Sequence, residues 1–249
     1  MSEPTIDPNP TVVAQLAPKG RLRAAINMSN FLLVVGKTDE GLPVGPSPDV
    51  AGEIARRLGV ALELVPYRTP SDIAAAAGAD EWDIANIGAE PQRAAVIDFT
   101  AAYSEIEATY LVPPDSPIQD VSEVDVSGNT ISVAAGSAYG LWLENNVQHA
   151  DLRAIKGNAF EQFVEGSMDA LAGLRSGLVR DVERLPGSRI LPGQFTAVQQ
   201  AVGVNKGNPE AHAWLSAFVE EIKASGFVAG LIERHGVTGQ LSVAPAAAR

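Results

Sequence analysis

The stretch from Asp83 to Val112 constrains the fold most, because its residues read as one structural block. The apolar segment Asp83–Ile87 predicts a short strand that ends at Gly88. Pro91 predicts the start of a helix, since proline is favoured at the first helical position, where its missing N–H would be unpaired anyway. A second apolar run, Ala108–Val112, predicts an extended segment. The block is therefore a strand, a turn, a short helix and another strand, as in α/β folds.

Arg93 falls in the first turn of the predicted helix. Helix N-termini favour acidic side chains and disfavour cations. A guanidinium at that end is therefore either incidental or placed for an anion. Its planar fork can bind a carboxylate through two hydrogen bonds, so a carboxylate is the anion that this position favours.

Charge and composition exclude several kinds of function. The chain has 30 acidic and 18 basic residues and a formal net charge of −12, which argues against nucleic acid or an anionic membrane as a partner. It has no cysteine, and its three histidines lie far apart in sequence, so no metal site is expected. No Walker or dinucleotide glycine pattern occurs, and no cofactor is predicted.

Strand and helix patterns alternate along the chain. They predict a parallel sheet covered by helices. In the first part the predicted elements are strand Arg21–Asn27, helix Pro48–Leu58 closed by Gly59, strand Ala61–Pro66, and helix Ser71–Ala77 with Ser71 as its N-cap. Later elements are strand Thr130–Ala135, helix Ser137–Asn145, helix Phe160–Glu165, strand Met168–Leu174 and one or two helices in His212–His235. Residues 1–19 are expected to be a flexible or helical leader, and Val243–Arg249 a disordered tail.

These motifs resemble the signature of the extracellular solute-binding proteins of amino-acid type, the receptors of ABC importers. The resemblance rests on Asp83, Gly88, Glu90 to Arg93, Asp98-Phe99-Thr100 and Tyr103, on Gly41 to Gly59, on the run ISVAAGS from Ile131 to Ser137, and on Val202 to Gly207. Together the motifs run from about Gly20 to Gly236 in the family's order. The resemblance implies a two-lobed, periplasmic-binding-protein-like (type II) α/β fold, each lobe a mostly parallel sheet flanked by helices, with a two-strand hinge.

The resemblance implies a division of the chain and a set of ligand contacts. Lobe 1 is expected at 1–107 plus 196–249, and lobe 2 at 108–195. Arg93 matches the family's α-carboxylate ligand. Ser137, with the N–H groups of Ala138 and Tyr139, matches the part of the carboxylate site that lobe 2 supplies. Asn30 and Phe31 match the wall of lobe 1, although a core position for Phe31 is equally open.

The departures from the family pattern concern the ligand's ammonium group. Amino-acid-binding members carry an Asp where this chain has Leu174, followed by Arg175. A buried ammonium without a carboxylate partner is costly, so standard α-amino-acid binding is not expected in the usual way. The turn before Arg93 has Gly88 and Glu90 where Ser or Thr donors are usual. Glu90 either replaces the lost Asp or is an imperfect N-cap, and Arg175 either adds a second guanidinium for a dicarboxylate or lies on the surface.

The function implied is a monomeric receptor that closes around a small carboxylate-bearing ligand and works with the membrane subunits of an ABC importer. The alternatives are an enzyme on the same fold, similar to dehydratases of cyclic carboxylic acids with Glu90 as general acid, and a cytoplasmic ligand sensor. The start MSEPTIDPNP lacks the basic and apolar segments of an export signal. Location is thus periplasmic by resemblance, and cytoplasmic if the chain is native full length.

Overall fold

The computed structural model of the protein describes residues 7–247. Strands and helices are numbered in chain order. The strands are β1 (Arg21–Asn27), β2 (Gly36–Lys37), β3 (Pro43–Val44), β4 (Ala61–Tyr67), β5 (Ile84–Gly88), β6 (Ile97–Val112), β7 (Thr130–Ala134), β8 (Asp151–Ile155), β9 (Ala170–Leu174), β10 (Arg189–Ile190), β11 (Thr196–Asn205) and β12 (Ser242–Val243). The helices are α1 (Pro10–Leu16), α2 (Pro46–Leu58), α3 (Pro70–Ala75), α4 (Pro91–Ala94), α5 (Ala138–Asn146), α6 (Ala159–Glu165), α7 (Arg175–Arg184), α8 (Pro209–Ala224) and α9 (Phe227–Arg234).

The chain divides into two compact units. The first unit contains the residues up to Glu105 and those from Gln199 onward, and the second contains Ile106–Val198. Strands β6 and β11 each pass from one unit to the other. The first predicted lobe boundary, after Glu107, lies within β6. The second, after Phe195, lies directly before β11.

The first unit is built on a sheet in which β4, β1 and β5 run parallel and β11 runs antiparallel to β5. Helices α2 and α3 pack against β1 and β4, and α8 contacts α1 and α9. Its core is fully buried at Ile54, Ile73, Trp82 and Phe218. Because β1 and β5 are parallel neighbours, the chain segments that follow them emerge at the same edge of the sheet.

The second unit repeats this plan. Strands β9, β7 and β8 run parallel, while β6 pairs antiparallel with β9 and with β10. Helices α5, α6 and α7 pack on this sheet around Val133, Leu143, Phe163 and Leu178. The α/β class and the mostly parallel sheets are as predicted. The segments after β7 and β9 again leave at one edge.

Helix α2 follows the predicted signals, although it begins at Pro46 rather than Pro48. Pro46 occupies its first turn, Arg56 and Arg57 complement the dipole in its last turn, and Gly59 ends it in the left-handed conformation. Gly45 precedes it, with a φ of 154° and no room for a side chain, because an added Cβ would lie 2.3 Å from the carbonyl oxygen of Leu33. The sequence thus fixes both ends of this helix.

Two predicted details are wrong. Helix α3 is capped by Thr69, not Ser71, because Thr69 and Asp72 form a reciprocal capping box. The C-terminal tail is ordered at its start, where β12 pairs with β6 and the N–H of Ala244 donates to the carbonyl oxygen of Tyr103 at 3.2 Å. Residues 248–249 lie outside the described chain.

The leader, predicted to be flexible or helical, contains helix α1. Its N-cap is Asn9, whose side chain accepts from the N–H of Val12 at 2.9 Å. Gln15 accepts a hydrogen bond from the N–H of Ala211 at 2.8 Å, which gives α8 the cap that its own Asn208 side chain does not provide. This helix is therefore part of the first unit's packing. Residues 1–6 lie outside the described chain.

Candidate functional site

The corner between β5 and α4 holds three of the predicted site residues, Gly88, Glu90 and Arg93. All of β5 is buried, and the N–H of Ala89 donates to the carbonyl oxygen of Gln199 at 2.8 Å, so the turn is fixed to β11. The N–H of Arg93 donates to the carbonyl oxygen of Glu90 at 2.9 Å, which closes the first turn of α4. Pro91 starts the helix, as predicted.

Arg93 is only 4% exposed. Its Nη1 donates to the carbonyl oxygen of Gly88 at 3.0 Å, which orients the guanidinium back over the end of β5. Burial lowers the pKa of Arg93, and the negative charge of Glu90 opposes that change. An arginine remains charged under such conditions, so the corner contains a buried positive charge.

Glu90 is 7% exposed and occupies the N-cap position of α4, but its side chain makes no capping hydrogen bond. Burial raises the pKa of its carboxyl group, and the positive charge of Arg93 lowers it to a lesser extent. The sequence left two roles open for Glu90, a replacement for the lost Asp and an imperfect N-cap. The structure shows the backbone geometry of an N-cap without the side-chain hydrogen bond.

The loop after β1 carries Asn30 and Phe31 to the same edge of the sheet. The Asn30 side-chain oxygen accepts from the N–H groups of Leu32 and Leu33 at 3.2 and 3.3 Å, so this oxygen shapes the loop. Phe31 is half-buried, unlike Leu32 and Leu33, which are in the core. Phe31 therefore presents part of its ring at the surface of this edge.

In the second unit, Ser137 caps α5. Its hydroxyl donates to the carbonyl oxygen of Ala134 at 2.7 Å and accepts from the N–H of Gly140 at 3.1 Å. A Cβ at Gly140 would lie 2.8 Å from the Ser137 oxygen, so glycine is required there. With its proton already donated, the hydroxyl retains acceptor capacity only. The N–H groups of Ala138 and Tyr139, in the first turn of α5, are the donors that the turn can offer to an anion.

Leu174 ends β9 and Arg175 follows it, at the same edge as the Ser137 turn. Leu174 takes the N-cap position of α7 without a side-chain hydrogen bond. The Arg175 side chain is 33% exposed, and its Nε donates to the Glu107 carboxylate at 2.7 Å. The Arg175 guanidinium also donates to the carbonyl oxygens of Leu191 and Gly193. Arg175 is thus tied to its own unit on several sides.

The signature residues after α4 have structural roles. Asp98 pairs with Lys206 at 2.9 Å, and the Thr100 hydroxyl accepts from the N–H of Val202 at 3.2 Å. Asp83, part of the predicted strand, instead precedes β5 and forms a buried ion pair with Arg23 at 2.7 Å. These contacts connect β6 to β11 and to the residue after it, and β1 to the residue before β5.

Sequence reasoning missed a set of buried polar groups beneath α2. Within residues 7–247, no hydrogen-bond partner is found for the Ser47 and Tyr103 hydroxyls or for the side-chain oxygen of Asn86. The Asn86 amide donates to the carbonyl oxygen of Ser47 at 3.0 Å. The only sequence signal for this set was Tyr103, which belongs to the family signature and is completely buried in the fold.

Within the described residues, no three His, Cys, Asp or Glu side chains are grouped as a metal ion would require. No helix between residues 7 and 247 combines the length and apolar character of a membrane span.

Solved structures show which class of fold this is. The ancestral amino acid-binding protein AncCDT-1, a precursor of cyclohexadienyl dehydratase, is 22% identical and superposes with a TM-score of 0.69 over 89% of this chain and 97% of its own. The amino acid ABC transporter substrate-binding protein AbpA of Streptococcus pneumoniae, bound to L-arginine, is 23% identical with a TM-score of 0.68 over 88% and 96%. The fold is the two-lobed type II periplasmic-binding-protein fold.

The sequence assigns the family within that fold. The sequence model of the bacterial extracellular solute-binding proteins, family 3, matches residues 23–238, and the chain belongs to that family. The L-cystine-binding protein TcyJ of Escherichia coli strain K12 is 22% identical over 200 residues, which cover 79% of this chain and 75% of TcyJ. The predicted family is therefore confirmed.

Proposed function

We propose that this protein binds a small carboxylate-bearing solute and delivers it, as a monomer, to the membrane subunits of an ABC importer. The observation that carries the proposal is the buried guanidinium of Arg93 at the end of β5. Burying an ion costs about several kcal/mol unless opposite charge and hydrogen bonds compensate it. A ligand carboxylate supplies both, since it accepts two parallel hydrogen bonds from one guanidinium.

The second unit supplies further donors in this proposal. The N–H groups of Ala138 and Tyr139 open α5, where the helix dipole favours an anion. The Ser137 hydroxyl holds the turn in shape. The half-buried ring of Phe31 and the side chain of Leu174 supply apolar contacts to the rest of the ligand. TcyJ is named for binding L-cystine, and the AbpA structure contains L-arginine. Both ligands have an α-carboxylate, which supports the proposed carboxylate site.

A thermal-shift screen tests the proposal. A ligand that binds only the folded protein raises the melting temperature by mass action. The screen compares amino acids, dicarboxylates, aromatic acids and other small carboxylates with neutral and cationic compounds of similar size. We expect the compounds that raise the melting temperature to share a carboxylate. A screen in which amines without a carboxylate raise it equally would contradict the proposal.

An enzyme on the same fold is the second candidate, and Glu90 is the observation that favours it. A buried carboxyl group with a raised pKa can act as a general acid at a pH closer to neutral than an exposed one. The test is incubation with a cyclohexadienyl carboxylic acid, with aromatic product followed by ultraviolet absorbance. Product formation that Glu90→Gln abolishes would establish this function, and its absence would exclude it for that substrate class.

A further inference from the structure

Strand β6 has different neighbours in its two halves, because it is 16 residues long and passes from the first unit to the second. In the second unit, Ala108 to Leu111 pair with β9 on one edge. In the first unit, β11 lies on the opposite edge, and the C-terminal strand β12 pairs with Ser104 and Glu105 on the edge that β9 uses further along. An uncovered edge presents unpaired N–H and C=O groups, so β12 completes this part of the sheet.

The tail that carries β12 is held by contacts beyond strand pairing. The N–H of Ala244 donates to the carbonyl oxygen of Tyr103 at 3.2 Å. Lys223 Nζ donates to the carbonyl oxygen of Pro245 at 2.8 Å. The side chains of Leu241 and Ala244 are buried. All of these partners belong to the first unit, so the tail ties this half of β6 to that unit.

The boundary between the two units on β6 falls between Glu105 and Ile106, directly where the pairing with β12 ends. Gln199 donates to the Glu105 carboxylate at 2.7 Å within the first unit. Arg175 donates to the Glu107 carboxylate at 2.7 Å within the second. Within residues 7–247, neither β12 nor β9 pairs with Ile106 or Glu107. The edge of β6 therefore has a gap at these two residues, between two stretches that are each tied to one unit.

We propose that the C-terminal segment 241–247 is a strap that confines the bending of β6 to Ile106 and Glu107 when the two units move. Ladder hydrogen bonds resist bending, and a hinge forms at the few residues that absorb a change in backbone angles most easily. The strap holds the first-unit side of the gap, so without it the bending segment would extend back toward Tyr103. The tail thereby limits the range of movement, whichever ligand the protein binds.

Hydrogen exchange in the ligand-free wild-type protein tests the position of the gap. Tyr103 bonds to Ala244 on the edge that β12 covers, and Glu105 and Glu107 face the same edge, because successive residues of a strand alternate between its two edges. We expect the amide of Glu107 to exchange on the order of 100-fold faster than that of Glu105. Equal protection of the two amides would overturn the inference.

The strap itself is tested by double electron–electron resonance on the ligand-free protein. The chain has no cysteine, so Glu144→Cys and Glu210→Cys place one spin label on an exposed position of α5 and one on an exposed position of α8. The test variant is Ala244→Pro, since proline lacks the N–H that donates to Tyr103. The matched control is Ala246→Pro, at an exposed position of the same tail.

We expect Ala244→Pro to broaden the distribution of distances between the two labels. It should also speed exchange at Glu105 by about 10-fold or more, because the ladder bonds of the strap are weakened. Ala246→Pro should leave both quantities unchanged. A second variant, which ends at Gln240 and lacks the strap entirely, should broaden the distribution further.

Fast exchange at Glu105 together with wild-type distances, in either strap variant, would overturn the inference, because the tail would then stabilise its own unit without limiting movement. The exchange experiment on the wild-type protein needs no variant, so it decides the position of the gap even if both strap variants fold poorly. None of these measurements uses a ligand, so their outcome is independent of the proposed carboxylate binding.

Discussion

Two arginines occupy equivalent places in the two units, and their surroundings differ. Arg93 and Arg175 each lie just after a buried strand, in the first turn of a helix. Arg93 is buried near the Glu90 carboxylate; burial lowers the pKa of Arg93, and the negative charge of Glu90 opposes that change. Arg175 is partly exposed and is held by Glu107 and by the carbonyl oxygens of Leu191 and Gly193.

The comparison shows that a strand-end arginine is not by itself evidence of a binding site. Arg175 has its charge compensated within its own unit, so a ligand would have to replace bonds that already exist. Arg93 is almost fully buried at the end of β5, where its Nη1 donates to the carbonyl oxygen of Gly88. The proposed difference in role follows from this difference in burial and position.

The largest expected effect is that of Arg93→Ala. We predict a loss of carboxylate binding of at least about 30-fold, because a charged partner that is buried and hydrogen-bonded is removed (about 2–5 kcal/mol). The free energy of unfolding of the ligand-free protein should change by less than about 1 kcal/mol, since the lost contacts are offset by the lost burial of a charge. Calorimetry and urea unfolding measure the two quantities. A large loss of ligand-free stability would make Arg93 structural.

A second prediction concerns Leu174→Asp, which places a carboxylate at the edge of the sheet where the Ser137 turn also lies. We expect affinity for α-amino acids to rise on the order of 10-fold, with no gain for their desamino analogues. Leu174→Asn is the control, because Asp and Asn both cap helices well and only Asp adds charge. Equal affinities for the two variants would show that this position does not meet the ammonium group.

Arg175→Gln should have the opposite profile to Arg93→Ala. We predict ligand affinity within about 3-fold of the wild type and a loss of stability of about 1 kcal/mol, from the ion pair and carbonyl hydrogen bonds that disappear. Thermal unfolding, in which 1 kcal/mol corresponds to roughly 2–4 °C for a protein of this size, is a suitable measurement. A drop in affinity comparable to that of Arg93→Ala would abolish the distinction between the two arginines.

The smallest expected effect is on the ligand-free stability of Glu90→Gln. The raised pKa of Glu90 in the folded protein means that folding favours its protonated form, which contributes stability below the ordinary pKa of glutamate and loses it as pH rises through the raised pKa. Gln imitates the protonated form at every pH. The variant should therefore melt slightly higher than the wild type at neutral pH, by less than the change expected for Arg175→Gln, and the two should converge near pH 4 (about the ordinary glutamate pKa). A lower melting temperature for the variant at neutral pH would contradict this sign.

The fold was predictable from local signals that act over a few residues. Helix α2 is set by a proline near its start and by Gly59 at its end, and the order of strands follows from the apolar runs. The cap of α3 was misplaced because both Thr69 and Ser71 can cap, and only the position of Asp72 three residues after Thr69 decides between them. The pairing of β12 with β6 joins residues about 140 positions apart in sequence, a distance over which local patterns carry no information.

The candidate site was less predictable, because its chemistry depends on what surrounds each side chain. Arg93 and Ser137 could be found by spacing and resemblance. The bond from Arg175 to Glu107 spans 68 positions and could not be inferred from either residue alone. Equally, nothing in the sequence around Glu90 indicates that this residue is only 7% exposed.

The most direct test of the central claim is to delete the charge of the ligand's carboxylate. The carboxylate that raises the melting temperature most is titrated calorimetrically beside its primary amide, into wild-type protein and Arg93→Ala. We predict that the wild-type protein prefers the carboxylate by roughly 100-fold and that Arg93→Ala has lost nearly all of this preference. Equal binding of acid and amide by the wild type, or an undiminished preference in Arg93→Ala, would contradict the account.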